Sequence, residues 1–175
     1  YDNFFTEETR QIAVTSYYGL CSFVDDMVGQ ITRTLEETGL DKSTTIIFSS
    51  DHGECLGDRG FWTKMVMYEE ASAVPLIIRG PDIKPKVEVA PVSLIDIYPT
   101  ILDIKKVETK HPNPKHAKSL ISTVLKPDMK RAILSEFHDY GAQTGMFMLR
   151  KENWKLILYP GFQSQLFNLA VDPNE

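Results

Sequence analysis

The run Thr44-Thr45-Ile46-Ile47-Phe48-Ser49-Ser50 constrains the fold more than any other stretch of this chain. It is β-branched and apolar on both faces, which predicts a strand buried between two layers in a parallel sheet. Asp51-His52-Gly53 follows at once. In open α/β sheets ligands bind at the carboxyl ends of strands, so the position suits a site.

Upstream, Tyr17, Leu20, Val24, Met27, Val28, Ile31 and Leu35 recur at helical spacing and predict one long amphipathic helix from about Thr6 to Thr38, packed on that sheet. Glu7 and Glu8 suit the positive end of its dipole, and Gly39 supplies a left-handed stop. Downstream, Val74-Pro75-Leu76-Ile77-Ile78 reads as a second strand halted by Gly80-Pro81, and Ser93 to Ile104 as a short helix with Pro99 near its start. An α/β portion over 1–104 follows. The polar, proline-bearing segment KKVETKHPNPKHAK marks a linker, placed at 105–130. Four short apolar runs at 133–137, 146–149, 154–159 and 165–167, separated by turn-prone residues, predict a small antiparallel sheet over 131–175, its methionines and aromatics forming a core.

With 42% hydrophobic residues in 175, the chain can build a real core. A net charge of -5 argues against a nucleic-acid partner, because phosphate backbones are bound by basic surfaces. No run approaches the roughly 20 apolar residues of a membrane span, and Tyr1-Asp2-Asn3-Phe4-Phe5 lacks the pattern of a signal peptide. A start without methionine suggests that residues precede Tyr1, so compartment stays open, as does oligomeric state. Cys21 and Cys55 form neither a CxxC pair nor a disulfide framework.

Adjacent Asp51 and His52 offer a carboxylate oxygen and an imidazole nitrogen to a divalent cation. Alone, Asp-His-Gly reads equally well as a turn with a solvated aspartate. Context changes the balance. TTIIFSSDHGECLGDRGFWTKMVMYEEASAVPLIIRGP resembles the sulfatases of the alkaline-phosphatase-like superfamily, in which a buried strand ends in S-D-H-G and a loop leads to a lysine. Asp96-Ile97-Tyr98-Pro99-Thr100 looks like that family's D-x-x-P-T helix start, and Leu166 to Glu175 is similar to its closing L-F-D-L-x-x-D-P-x-E. The Asp-His form resembles the branch holding choline sulfatase, iduronate 2-sulfatase and arylsulfatase K. Ser135-Glu136-Phe137-His138 and Met148-Leu149-Arg150 are most similar to the last of these.

The resemblance implies an αβα sandwich with a parallel or mixed sheet, followed by a small antiparallel C-terminal subdomain. It implies Asp51 and His52 as metal ligands, Ca2+ foremost with Mn2+ or Mg2+ as alternatives, and Lys64 as the group that contacts the sulfate and the nucleophile. The substrate would be a sulfate ester of a sugar or small molecule. That family's nucleophile is formylglycine, made from C/S-x-P-x-R, and this motif occurs nowhere in the 175 residues. Cys55-Leu56-Gly57-Asp58-Arg59 has glycine where proline belongs, and the segment after Cys21 fails at both positions. The expectation is the C-terminal part of a sulfatase, inactive by itself. Two other readings stand beside it, a phosphodiesterase or phosphonate monoester hydrolase of the same superfamily and a non-catalytic module.

Of the remaining candidates, Asp25 and Asp26 fall on the helix and read as a solvated face. His111 and His116 lie in the linker without acidic companions. His138 ends a predicted strand that the resemblance brings near the substrate pocket, which makes it a candidate substrate contact. Arg59 and Trp62 flank the loop to Lys64, where a salt bridge and a packed indole compete with a pocket-lining role.

Overall fold

A computed structural model describes residues 6–111, 114–139 and 142–175. The first five residues and Pro112 and Asn113 of the expected linker lie outside the described residues. Two compact units emerge, one of the stretch up to Met65 with Glu70–Pro85, the other of Val66–Glu69 with Lys86–Glu175.

The first unit opens with helix α1 (Glu7–Glu37). Thr6, in extended conformation, caps it by accepting the Thr9 N–H on its hydroxyl, and Glu7 and Glu8 occupy the first turn. Gly39, at φ 72°, releases the chain into a 3-10 turn over Leu40–Lys42. The bounds match the sequence expectation, but the packing does not. No residue of α1 is fully buried. Tyr17, Met27, Val28 and Leu35 are half-buried, whereas Leu20, Val24 and Ile31 are 63%, 47% and 59% exposed. Periodicity identifies an apolar stripe without saying how much of its width finds a partner. Near its end, Glu36 pairs with Arg79 at 2.9 Å, and Leu35 borders a cavity of about 330 Å³ that Ile46 and Arg79 also line.

Strand β1 (Ile46–Ser49) pairs with β2 (Leu76–Arg79), with Ile47 opposite Ile78 and Phe48 opposite Ile77. This ladder is antiparallel. The expectation of a buried strand with parallel neighbours is corrected here, since all four residues of β1 are half-buried and its partner among the described residues runs the other way. An apolar run on both faces signals cover above and below the sheet; it carries no information on strand direction. Between the strands lies a single helical turn, α2 (Glu69–Ser72).

In the second unit, α3 (Ile97–Lys105) follows a 3-10 turn over Leu94–Asp96. Asp96 is fully buried and saturated: its carboxylate accepts the backbone N–H groups of Ser93 and Lys118 at 2.9 and 2.8 Å and a bidentate Arg131 guanidinium at 2.7 Å on each oxygen. The Thr100 hydroxyl donates to the Asp96 carbonyl at 2.6 Å and accepts the Leu120 N–H at 2.8 Å. The D-x-x-P-T segment is thus a bracket that ties α3, the start of α4 (Leu120–Leu125) and the entry to the next strand together. A plain linker over 105–130 is therefore not what forms, because Leu120 and Thr123 of α4 are buried.

Strands β3 (Ala132–Phe137), β4 (Met146–Lys151), β5 (Trp154–Leu158) and β6 (Gln165–Asn168) make an antiparallel sheet in that order, as the four apolar runs predict. One face carries the core: Met148 and Ile157, with Met67 from outside the sheet and Tyr68, Phe137, Met146, Tyr159 and Phe167 packed around them. On the other face Leu134, Leu149, Leu156 and Leu166 stand directly opposite one another across all four strands and remain 56%, 40%, 37% and 62% exposed. Trp154 and Phe162 are also exposed, so the aromatics are only partly core. Lys155 points into the core side and is completely buried against Glu69 at 2.9 Å and Glu175 at 2.8 Å, while Glu175 also accepts the Glu69 N–H at 2.7 Å.

Removing one partner of a buried, hydrogen-bonded ion pair typically costs about 3–5 kcal/mol, because the other charge stays buried without compensation. Arg131→Ala is therefore expected to lower the urea midpoint of the chain steeply. A midpoint within experimental error of the parent would show that Asp96 does not need it.

Candidate active site

The end of β1 is built so that Asp51 and His52 leave the strand on a fixed path. The Ser50 hydroxyl donates to the His52 carbonyl at 2.7 Å, and Gly53 donates its N–H to the Ala71 carbonyl at 2.9 Å. At Gly53 the backbones pass so closely that a Cβ would land 1.9 Å from the Glu70 carbonyl oxygen. Only glycine fits there, which gives the third residue of Asp-His-Gly a packing reason.

From Gly53 the chain makes an irregular loop and returns. Cys55 donates to the Thr63 carbonyl at 2.9 Å and Gly57 to that of Phe61 at 2.8 Å, closing the loop like a short hairpin. The Trp62 indole lies over Gly57, which has φ 91°, and Arg59 pairs with Glu70 at 2.8 Å. The packed indole and the salt bridge are thus what forms. Inside the loop Cys55 is 3% exposed, and burial, with the Glu54 and Glu70 charges adding to it, pushes its thiol pKa upward. A thiol held protonated in this way is a poor nucleophile.

The returning chain brings Lys64 to His52, with Nζ and Nε2 2.5 Å apart. On the other ring nitrogen, Nδ1 is 2.8 Å from the Gly53 carbonyl oxygen, which can only accept, so Nδ1 carries the hydrogen. The Nε2 lone pair therefore faces outward, toward Lys64 and toward Asp51 Oδ2 at 3.4 Å. Three groups named from the sequence converge on one spot. It is open to solvent, the Asp51 side chain being 84% and that of His52 37% exposed. Desolvation raises the Asp51 pKa, but N–H donors from its own residue and His52, together with the Lys64 charge, outweigh it and hold the carboxyl below its ordinary 3.8.

One imidazole nitrogen and one ionised carboxylate suit a divalent cation, and the orientation of Nε2, fixed through Nδ1, is that of a histidine ligand. They supply part of a shell: among the described residues no cluster of three or more His, Cys, Asp or Glu side chains is positioned to hold a metal.

Other candidates fall elsewhere. Asp25 and Asp26 are exposed on α1, where Asp26 accepts from Gln30 at 2.8 Å. His111 and His116 are exposed in the loop after α3. His138 belongs to the second unit, just past β3, where its ring packs edge-on to Phe147 at 5.2 Å and its side chain is 58% exposed, 3.7 Å from Glu136. Sequence reasoning passed over Glu54, whose Oε1 accepts the Thr63 N–H at 2.6 Å and the Leu56 N–H at 3.3 Å. Its signal was an acidic residue entering a loop whose amides have no ladder to satisfy them.

Comparison with known proteins places this geometry in a family. A family profile described as Sulfatase matches residues 1–107, and one described as N-sulphoglucosamine sulphohydrolase, C-terminal, matches residues 57–175. Arylsulfatase K of Danio rerio is 38% identical over 181 residues, covering 98% of this chain and 34% of the relative. Choline-sulfatase of Rhizobium meliloti (strain 1021) is 33% identical over 177 residues, covering all of this chain and 35% of the relative. The chain thus spans about a third of the length of these curated relatives. Among solved structures, the phosphonate monoester hydrolase SpPMH from Silicibacter pomeroyi superposes with a TM-score of 0.82 at 34% identity, over 96% of this chain and 38% of that one. BT4656, in complex with its substrate D-glucosamine-2-N,6-O-disulfate, superposes with a TM-score of 0.71 at 28% identity, over 86% of this chain and 33% of that one. The fold is the alkaline-phosphatase-like one that these neighbours share, and the chain belongs to the sulfatase family.

Proposed function

We propose that this chain carries the cation- and sulfate-facing part of an active site that hydrolyses sulfate esters. The observation that supports this most is the convergence of Lys64 Nζ and Asp51 Oδ2 on the outward lone pair of His52. Asp51 and His52 would hold the cation, Ca2+ foremost and Mn2+ or Mg2+ otherwise, and such an ion supplies positive charge to sulfate oxygens. With the cation on Nε2, Lys64 would turn from that nitrogen to the sulfate held beside it. In sulfate-ester cleavage negative charge grows on the departing oxygen, so a lysine placed there stabilises the transition state more than the bound ester. His52 keeps its place through Nδ1 and Gly53.

Arylsulfatase K and choline-sulfatase as relatives, and a neighbour bound to a disulfated glucosamine, favour a sulfated sugar or small sulfate ester as substrate. His138 is a candidate contact to it. A formylglycine nucleophile is expected on the same protein outside these 175 residues, which hold no C/S-x-P-x-R. The likeness to a phosphonate monoester hydrolase supports a second reading with the ester changed. Assaying the intact protein on matched nitrophenyl sulfate and phenylphosphonate esters separates the two.

In the intact protein, Lys64→Ala is expected to lower kcat on its sulfate ester by roughly a hundredfold or more, about 3 kcal/mol, the usual cost of one charge-stabilising donor. KM should change far less. An unchanged kcat would remove Lys64 from the chemistry.

The 175-residue chain alone should show no turnover and, with two ligands, no tight cation site, since affinity grows with ligand number and charge. Calorimetric titration with Ca2+ and Mn2+ checks this. Nanomolar binding by the isolated chain would mean that further ligands lie within it.

A further inference from the structure

We propose that Glu54 is a positioning residue for Lys64, its carboxylate clamping both ends of the returning loop so that the lysine meets His52. The proposal rests on reading Lys64 as the sulfate-facing group. One oxygen, Oε1, accepts the Leu56 N–H where the loop departs and the Thr63 N–H where it comes back, the latter at 2.6 Å. Thr63 immediately precedes Lys64.

Thr63 has φ +70°, a left-handed conformation that β-branched residues rarely adopt. Such a conformation persists only where the surroundings over-determine it. Here two bonds do so: the Thr63 carbonyl accepts from Cys55, and the Thr63 N–H donates to Glu54. Leu56 and Arg59 also have positive φ, at 51° and 52°, so the loop has little regular structure of its own to hold its shape. Losing the Glu54 bond frees the Thr63 peptide to turn over, and the side chain that follows then leaves the His52 ring.

Glu54 could instead be read as a third cation ligand beside Asp51 and His52. Its Oε1 is already committed to two amides, and no three-ligand cluster exists among the described residues. The clamp needs an acceptor at this position, and a negative charge is not required. That separates the two roles, because glutamine keeps a carbonyl oxygen in place of Oε1 while losing the charge.

The experiment compares Glu54→Ala and Glu54→Gln in two assays. Hydrogen–deuterium exchange on the intact protein, read in peptides covering 55–64, should show the Leu56 and Thr63 amides exchanging at least about tenfold faster in Glu54→Ala, with Glu54→Gln close to the parent. In the intact protein, kcat for the sulfate ester should fall roughly ten- to a hundredfold in Glu54→Ala, as misplacement of a catalytic group by about 1 Å can produce, and recover in Glu54→Gln. If Glu54→Ala does not fold, Glu54→Met, of similar length but without a strong acceptor, takes its place. Unchanged exchange in the alanine or methionine variant overturns the proposal. So does a glutamine variant as impaired as alanine, which would assign the role to the charge. If the intact protein turns over no sulfate ester while the loop still loosens as described, the sulfatase reading fails and the clamp stands.

Discussion

Gly53 donates its N–H to the Ala71 carbonyl across a gap too narrow for any side chain, and the site in the first unit depends on that contact. It anchors the chain one residue beyond His52, at the point where the ladder of β1 has ended. A strand end without such an anchor would leave Asp51 and His52 on a fraying terminus. With it, the Gly53 carbonyl is stationary and can fix the imidazole through Nδ1. Backbone thus sets the direction of the ring.

Local chemistry was readable in the sequence where the deciding forces are local. Glu7 and Glu8 with the Gly39 stop mark α1 to within a residue, and the four apolar runs of the C-terminal sheet appear in order with their turns. What escaped depends on partners. The Thr44–Ser50 run announces a strand, yet its antiparallel neighbour comes from Leu76–Arg79, which no periodicity in either segment specifies. Polar composition after Lys105 concealed α4, whose burial follows from Asp96 and Thr100 receiving its preceding and first amides. Asp51, His52 and Lys64 were singled out because a recognisable motif carries their spacing, and the fold brings the three side chains together. Glu54 was not, because accepting amides in an irregular loop leaves no repeating pattern.

Two motifs of the resemblance serve the second unit as electrostatic brackets. Asp96 gathers backbone amides and Arg131 into a buried, fully bonded pair. Glu175, at the end of the D-P-x-E segment, meets Lys155 and the Glu69 amide. In each case a charge that would be costly in an apolar interior is offset by a buried opposite charge, and at Asp96 four donors leave almost no bonding capacity unused. Such pairs demand particular positions of their partners, which diffuse apolar contact does not.

The bracket at Lys155 also has a temporal side. Glu69 and Glu175 are 106 positions apart, so their contact closes one of the longest loops in the chain. Closure of so long a loop adds little equilibrium cost, because that cost grows only with the logarithm of length, but it delays the event. A ribosome emits the chain from its N-terminus, so α1 and the Asp51–Lys64 loop emerge long before the partner that completes the Lys155 bracket. Until residue 175 has been added, the β5 lysine has only Glu69 to neutralise it within that trio. Among these residues the Lys155 bracket can therefore be completed only once Glu175 has been made.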